Sequence, residues 1–453
     1  MIRGSLTAVA RAVGGTLLGA DARFSGVSTD TRSLSPGQLF VALSGPRFDG
    51  HDFVAAAAER GAVAAVVERP LDTGVPTLRV ADTLAALGAM ANWWRRQFTL
   101  PVIALTGSFG KTTVKEMLAA IARTRGETLA TRGNLNNEIG VPLTLFRLGE
   151  EHATAVVEMG ANHQREIARL TAITQPDVGL VTVAGPAHLE GFGSLEGVAR
   201  GKGEIFQGLP GDGVAVINAD DPFAPMWREF AGDRRVVTFG LAASADFSAT
   251  AIREELTAAG PEIGFELRGP DWRRRAILHM AGRHNVRNAL AAAAAAAAAG
   301  FDADAIVEGL DAARGVAGRL SLRPGLAGST IVDDTYNASP DAVEAAVDFV
   351  AALPGEAWVV LGDMGELGPE AEKLHGRVGR HAAEKGVKRF FAMGDLSAAA
   401  ARAFGEGRAF TDLEALVAEL SAGLGPRVNV LVKGSRSMRM ERVVERLARP
   451  EGN

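Results

Sequence analysis

From Val102 the chain settles into a rhythm of short apolar runs, each followed by a turn and a helical stretch. Val102-Ile103-Ala104-Leu105, Ala155-Val156-Val157-Glu158, Val178 to Val183 and Val214 to Ile217 show no alternation of polar and apolar residues. Strands of that kind are buried on both faces, and when helices separate them they build a parallel sheet covered on both sides. The rhythm breaks from Thr238 to Leu278, where β-like stretches with polar breaks predict a small antiparallel insertion. A helix over Asn285 to Ala299 follows, with Gly300 as its stop. After Arg319 the α/β pattern resumes in Thr330 to Asp334, Trp358 to Gly362, Phe390 to Gly394 and Val428 to Gly434, with helices over Asp341 to Ala352 and Met438 to Leu447. That series predicts an open, Rossmann-like sheet whose ligands sit at the carboxyl ends of its strands.

Ahead of Val102 the elements are shorter. Gln38 to Leu43 and Ala62 to Val67 read as strands, Phe53 to Arg60 as a helix, and Asp82 as the N-cap of a helix running to Phe98. A chain of 453 residues suggests about three domains. The expectation is an α/β protein with a small N-terminal substrate domain (1–82), a central parallel-sheet ATPase domain (83–313) and a C-terminal Rossmann-like domain (314–453).

Composition mainly excludes. A net charge of −5 offers no basic field for nucleic acid, and the absence of cysteine removes disulfides, thiolate metal sites and cysteine nucleophiles. The first residues lack a signal-peptide core, and the longest uncharged apolar run, Ala289 to Ala299, is too short for a membrane span of roughly 20 residues. The default expectation is a cytoplasmic protein, monomeric and without a membrane span.

One stretch carries most of the chemistry. Thr106-Gly107-Ser108-Phe109-Gly110-Lys111-Thr112-Thr113 lies between a strand and a helix. Glycines there let backbone N–H groups face phosphate oxygens, the helix N-terminus favours the same anion, Lys111 adds charge at the β/γ-phosphates, and the Thr112 hydroxyl can ligate Mg²⁺. Only Ser108 and Phe109 separate the two glycines, fewer than in the usual P-loop. Glu158 ends an apolar strand, where a carboxylate beside a P-loop can hold Mg²⁺. Asp333 and Asp334 end another strand and suit hydrogen bonding to ribose or to a substrate amine, or else helix capping. Arg319 could neutralise phosphate charge. From spacing alone His188 is a loop histidine and Lys202 a solvated lysine.

Taken together, these stretches resemble the Mur ligases over essentially the whole chain. The likeness rests on Thr29 to Arg32, Asp49 to Phe53, the short phosphate loop, Gly133 to Pro142, Glu158 to Asn162, His188 to Glu190 and Lys202 to Glu204. It continues through Gly282 to Asn288, Asp334 to Ala338 and Leu361 to Gly368. The family's phosphate loop has the same short form. The resemblance implies an ADP-forming ligase that uses ATP and two Mg²⁺ ions, one held by Thr112 and Glu158, the other by His188 and an N-carboxylated Lys202. It puts Asn285 and Asn288 at the adenine, and Arg319 and Asp334 at the nucleotide from the third domain. It assigns Asp30, Arg32 and Asp49 to a uridine-nucleotide site, and Asn134, Asn136, Asn137, Tyr336 and Asn337 to the substrate side. An Asp-Asn-Pro-Arg signature of the diamino-acid-adding branch is absent, and Leu361 to Gly368 favours the dipeptide-adding branch. The implied substrates are then UDP-N-acetylmuramoyl-tripeptide and D-alanyl-D-alanine. A diamino acid or glutamate as acceptor, and a nucleotide-gated scaffold that hydrolyses ATP without ligation, are the alternatives.

Overall fold

The computed structural model describes residues 1–45, 48–72, 74–186, 189–242, 244–257 and 260–449. Its centre is a six-stranded, wholly parallel sheet in the order Thr128–Ala130, Thr154–Glu158, Val102–Thr106, Val178–Val181, Val214–Asn218, Arg235–Phe239. Side chains alternate across a strand. Val102 and Ala104 therefore enter one core with Ile167, Leu170, Val198 and Phe206. Ile103 and Leu105 enter the other with Val114, Met117, Leu118 and Ile121. Both faces are covered, which is why these strands carry no polar alternation.

The second core is closed by two further helices, His284–Ala298 and Ala303–Ala312. The alanine run is packed, not solvated: Ala289 and Ala291 to Ala296 are each at most 1% exposed. Small side chains let this helix lie close over Lys111–Arg123, the helix that opens at the phosphate loop. Gly309 goes further, since a Cβ there would press into the Ile121 backbone. The expected antiparallel insertion is present as Ser248–Thr257, Gly260–Arg268 and Arg273–Leu278.

In the N-terminal part a five-stranded sheet runs Thr16–Leu18, Thr77–Arg79, Ala64–Val67, Leu39–Val41, Val27–Ser28, antiparallel only in its first pair. Asp82 caps the helix Thr83–Arg95 by accepting the Ala85 N–H at 2.9 Å. That helix joins N-terminal and central parts: Leu87, Met90 and Trp94 share one apolar core with Leu6, Val41, Val66 and Val141. Its end is fastened by Trp94 Nε1 to the Leu148 carbonyl at 3.1 Å and Arg95 Nε to the Thr174 carbonyl at 3.2 Å.

The third unit holds a sheet in the order Ser321–Pro324, Thr330–Asp334, Val428–Lys433, Glu356–Gly362, Arg389–Met393, Arg408–Phe410. Its first pair is antiparallel and the rest parallel. Two separate cores cover its faces. The last helix starts at Glu441 and not at Met438, because Arg436–Met438 is a 3-10 turn and Arg439 takes a left-handed φ of 52°. No helix among the described residues is long and apolar enough to cross a membrane.

Gly309→Ala tests the close seating on the loop helix. Helix propensity alone favours alanine by about 1 kcal/mol, whereas overpacking costs about 1–3 kcal/mol. Urea denaturation is expected to give a less stable variant, and a more stable one would show that the two helices can spread without cost.

Candidate active site

The phosphate loop leaves Val102–Thr106 and enters Lys111–Arg123 through two glycines whose backbone leaves no room for a side chain. Gly107 has φ 147° and Gly110 φ 78°; a Cβ would drive into the Thr182 hydroxyl at the first and into Asn288 Oδ1 at the second. The stretch after Val178–Val181 clasps the loop. Ser108 N–H donates to the Val183 carbonyl at 2.9 Å, Ser108 Oγ bridges Gly185, and the Thr182 hydroxyl donates to the Phe109 carbonyl at 2.6 Å.

Lys111 curls over the loop, its Nζ donating to the Gly107 carbonyl at 2.7 Å. Burial pushes its amine below the ordinary lysine range; the Glu158 charge opposes this shift and Arg319 adds to it. Glu158 lies one strand over, in register with Leu105, and is 2% exposed. Its Oε1 accepts the Asn136 amide at 2.8 Å, while buried Oε2 has no partner. Thr131 Oγ1 accepts the Glu158 N–H at 3.0 Å, and buried Lys115 donates to the Thr131 carbonyl at 2.9 Å, tying this strand end to the loop helix.

Lys202 corrects the expectation from spacing. It sits inside the helix Leu195–Gln207, 1% exposed, with Nζ donating to the Ala161 carbonyl at 3.0 Å. Burial first, and Lys111 second, lower its pKa to about 7. His188 lies outside the described residues. Among the described residues no three His, Asp or Glu side chains form a metal cage. The set does fit magnesium, which is held by one or two carboxylates with hydroxyl, water and phosphate oxygens. The unpartnered Oε2 of Glu158, beside the Thr112 hydroxyl's loop, is the atom that asks for a cation.

From the third unit Arg319 reaches across, with Nη2 donating to Thr112 Oγ1 at 2.9 Å and its guanidinium lying 4.2 Å from the Tyr336 ring centroid. Asp334 stands behind it: Oδ1 accepts the Leu320 N–H at 3.1 Å, and Oδ2 pairs with buried Lys433 at 2.6 Å. Lys433 also holds the Asn337 carbonyl at 2.8 Å, and Asn337 Oδ1 accepts the Ala338 N–H. Asn285 and Asn288 are joined at 2.8 Å behind Gly110. Asn137 Oδ1 accepts the Gly140 N–H at 2.9 Å where the helix Gly140–Leu145 begins, and exposed Asn134 accepts the Asn136 N–H on its carbonyl.

Asp30, Arg32 and Asp49 form a separate cluster in the N-terminal part. Arg32 grips Asp30 through Nε and Nη2 and lowers that carboxyl to about 2. Asp49 pairs with His51 at 2.6 Å and Arg69 at 2.9 Å. Sequence reading passed over Lys115, Thr131, Lys433 and Arg69. Lys433 carried one usable signal, a cation ending an otherwise apolar strand, but only the register opposite Asp334 gives it a partner.

Three family descriptions match: "Mur ligase family, catalytic domain" over 23–95, "Mur ligase middle domain" over 105–296 and "Mur ligase, glutamate ligase domain" over 318–436. The UDP-N-acetylmuramoyl-tripeptide–D-alanyl-D-alanine ligase of Escherichia coli is 47% identical over 99% of this chain and 99% of its own. The ligase of the same name from Bacillus subtilis is 33% identical, again over 99% of each. Among solved structures, MurF from Acinetobacter baumannii superposes with a TM-score of 0.92 at 38% identity, covering 98% of both chains. MurF ligase from Thermotoga maritima in complex with ADP gives 0.83 at 28% identity, covering 93% of this chain and 96% of that one. A glycine loop of this short form, a buried carboxylate beside it, an arginine arriving from a third α/β unit and a full-length likeness agree: the chain belongs to the Mur ligase family.

Proposed function

We propose that this protein joins D-alanyl-D-alanine to the terminal carboxyl group of UDP-N-acetylmuramoyl-tripeptide, converting ATP to ADP and phosphate and supplying a precursor for peptidoglycan. The observation that carries the reading is the 47% identity to a ligase of that name over 99% of both chains. The geometry supports the ATP-dependent half independently. The tripeptide carboxylate attacks the γ-phosphorus, ADP leaves with the bridging oxygen's electrons, and an acyl phosphate forms. The dipeptide amine then attacks the acyl carbon, loses a proton, and phosphate departs.

The chain's own groups serve this sequence at stated atoms. Backbone N–H groups of Phe109 to Thr113 cradle the phosphates at the N-terminus of Lys111–Arg123, the Ser108 N–H being taken by the Val183 carbonyl. Lys111 and Arg319 face the transferring phosphoryl group, and their positive charge lowers the cost of bringing a carboxylate to it. Thr112 and Glu158 suit one Mg²⁺, and His188 with Lys202 a second. Magnesium, when bound, supplies charge neutralisation at the phosphate oxygens. N-carboxylation of Lys202 would turn a cation that repels metal into a bidentate anionic ligand, and an amine near neutrality at pH 7 suits that reaction.

By the same reading, residues 1–82 take the uridine end through Asp30, Arg32 and Asp49. Residues 83–313 hold ATP, with Asn285 and Asn288 at the adenine, and 314–453 bring Arg319, Asp334, Tyr336 and Asn337. Asn134, Asn136 and Asn137 line the side where the peptide meets ATP, an arrangement supported by Asn136 holding Glu158. The location that suits ATP and nucleotide-linked precursors is the cytoplasm.

Two measurements test this. With the tripeptide carboxylate labelled with ¹⁸O, one label is expected in released phosphate for each turnover; unlabelled phosphate eliminates the acyl phosphate. In ¹³C-bicarbonate, a carbamate resonance that Lys202→Arg lacks is expected. Only the neutral amine attacks CO₂, so the signal should grow as pH rises through about 7 and fade below it. A signal independent of pH, or unchanged in the variant, removes carbamylated Lys202 from the site.

A further inference from the structure

The turn Asp49-Gly50-His51 contains a buried imidazole that the reaction above leaves without a task. His51 is 4% exposed. Its Nε2 accepts the Glu68 N–H at 2.8 Å, which leaves the ring proton of the neutral imidazole on Nδ1, and Nδ1 donates to Asp49 Oδ1 at 2.6 Å. The same carboxylate oxygen accepts the His51 N–H and the Ser44 hydroxyl, both at 3.0 Å. Oδ1 is therefore saturated from inside the domain. Oδ2 pairs with half-exposed Arg69 at 2.9 Å.

Two further facts give this turn a direction. The parallel strands Val27–Ser28, Leu39–Val41 and Ala64–Val67 are neighbours; Asp30 and Glu68 follow the first and third, and the Gly50 N–H donates to the Leu43 carbonyl at 2.8 Å, returning the hairpin that carries Asp49 to the end of the second, so the three acids share the carboxyl edge of the sheet. That is the edge where ligands of parallel sheets bind. Glu68 Oε1 accepts the Thr83 N–H at 2.9 Å and the Thr83 hydroxyl at 3.0 Å. Contacts thus run from the half-buried Asp49 carboxylate through the imidazole to the Glu68 backbone, and from the Glu68 side chain to the start of Thr83–Arg95, whose other end is fastened to the central part.

Resting on the functional reading above, we propose that His51 is a positioning residue for the nucleotide-linked substrate. It fixes Asp49 for the uridine end and, through Glu68, holds that pose in register with the helix joining the two domains.

Steady-state kinetics on His51→Phe and His51→Asn test it. Phenylalanine keeps the bulk without a donor, whereas asparagine keeps a donor near the Nδ1 position. In the Phe variant KM for UDP-N-acetylmuramoyl-tripeptide should rise about tenfold, the scale of one lost hydrogen bond to a charged group. Its kcat and its KM for ATP and dipeptide should stay within about twofold, and the Asn variant should recover most of the loss. An unchanged KM, or losses spread evenly over all constants, overturns the proposal. Nitrogen NMR of the wild-type imidazoles does not depend on a variant folding. Among the described residues, Nδ1-protonated rings are expected for His51, for His375, whose Nε2 accepts the Met364 N–H, and for His163, whose Nδ1 donates to Glu166 Oε1 at 3.0 Å. One of them should shift when the tripeptide nucleotide is added without ATP, and the absence of such a ring also overturns the proposal. Wild-type protein that binds no tripeptide nucleotide would instead overturn the functional reading, an outcome distinct from either variant result.

Discussion

Everything in the active site hangs on the clasp that the Thr182 to Gly185 segment puts on the phosphate loop. A four-residue loop with two left-handed glycines has no regular structure to hold it, so its shape must come from neighbours. Ser108 and Phe109 are both tied to that segment, and the Thr182 hydroxyl occupies the space that any side chain at position 107 would need. The segment continues the adjacent parallel strand, so the loop inherits its position from the sheet. Lys111, Thr112 and the helix dipole then point the same way without further adjustment.

Against that rigid cradle stand several buried polar groups with no protein partner. Glu158 Oε2, Arg319 Nε and Arg287 Nε are all unsatisfied. A buried group of this kind costs about 1–3 kcal/mol when left alone, and folded proteins hold few of them. On the reading proposed above, these three, on the strand beside the loop, in the third unit and on His284–Ala298, are groups that nucleotide, metal and substrate would satisfy. Lys202 adds to the same picture: it is kept dry and close to neutral, an expensive state for a lysine unless its chemistry is used.

The sheets and the phosphate loop were legible in the sequence because both are local. A run such as Val102 to Leu105 announces two-sided burial, and a glycine pair before Lys-Thr announces a phosphate cradle. What stayed hidden depends on distant partners. Lys202 reads as a surface residue until the helix Leu195–Gln207 is packed inward, and Lys433 reads as a strand end until register sets it against Asp334. The late start of the last helix turned on the φ of Arg439, which no pattern of apolar residues encodes. His51 was visible only as part of a motif; of its two opposed hydrogen bonds, one is local to Asp49 and the other needs the end of Ala64–Val67 brought beside it.

The N-terminal and central parts share a continuous apolar core through Thr83–Arg95, whereas the third unit keeps its own two cores and meets the loop through Arg319. Polar seams tolerate change on either side far better than interdigitated hydrophobic packing does. Because Arg319 belongs to the third unit and yet bonds Thr112 on the loop helix, a change in how that unit docks is felt at the phosphate loop at once.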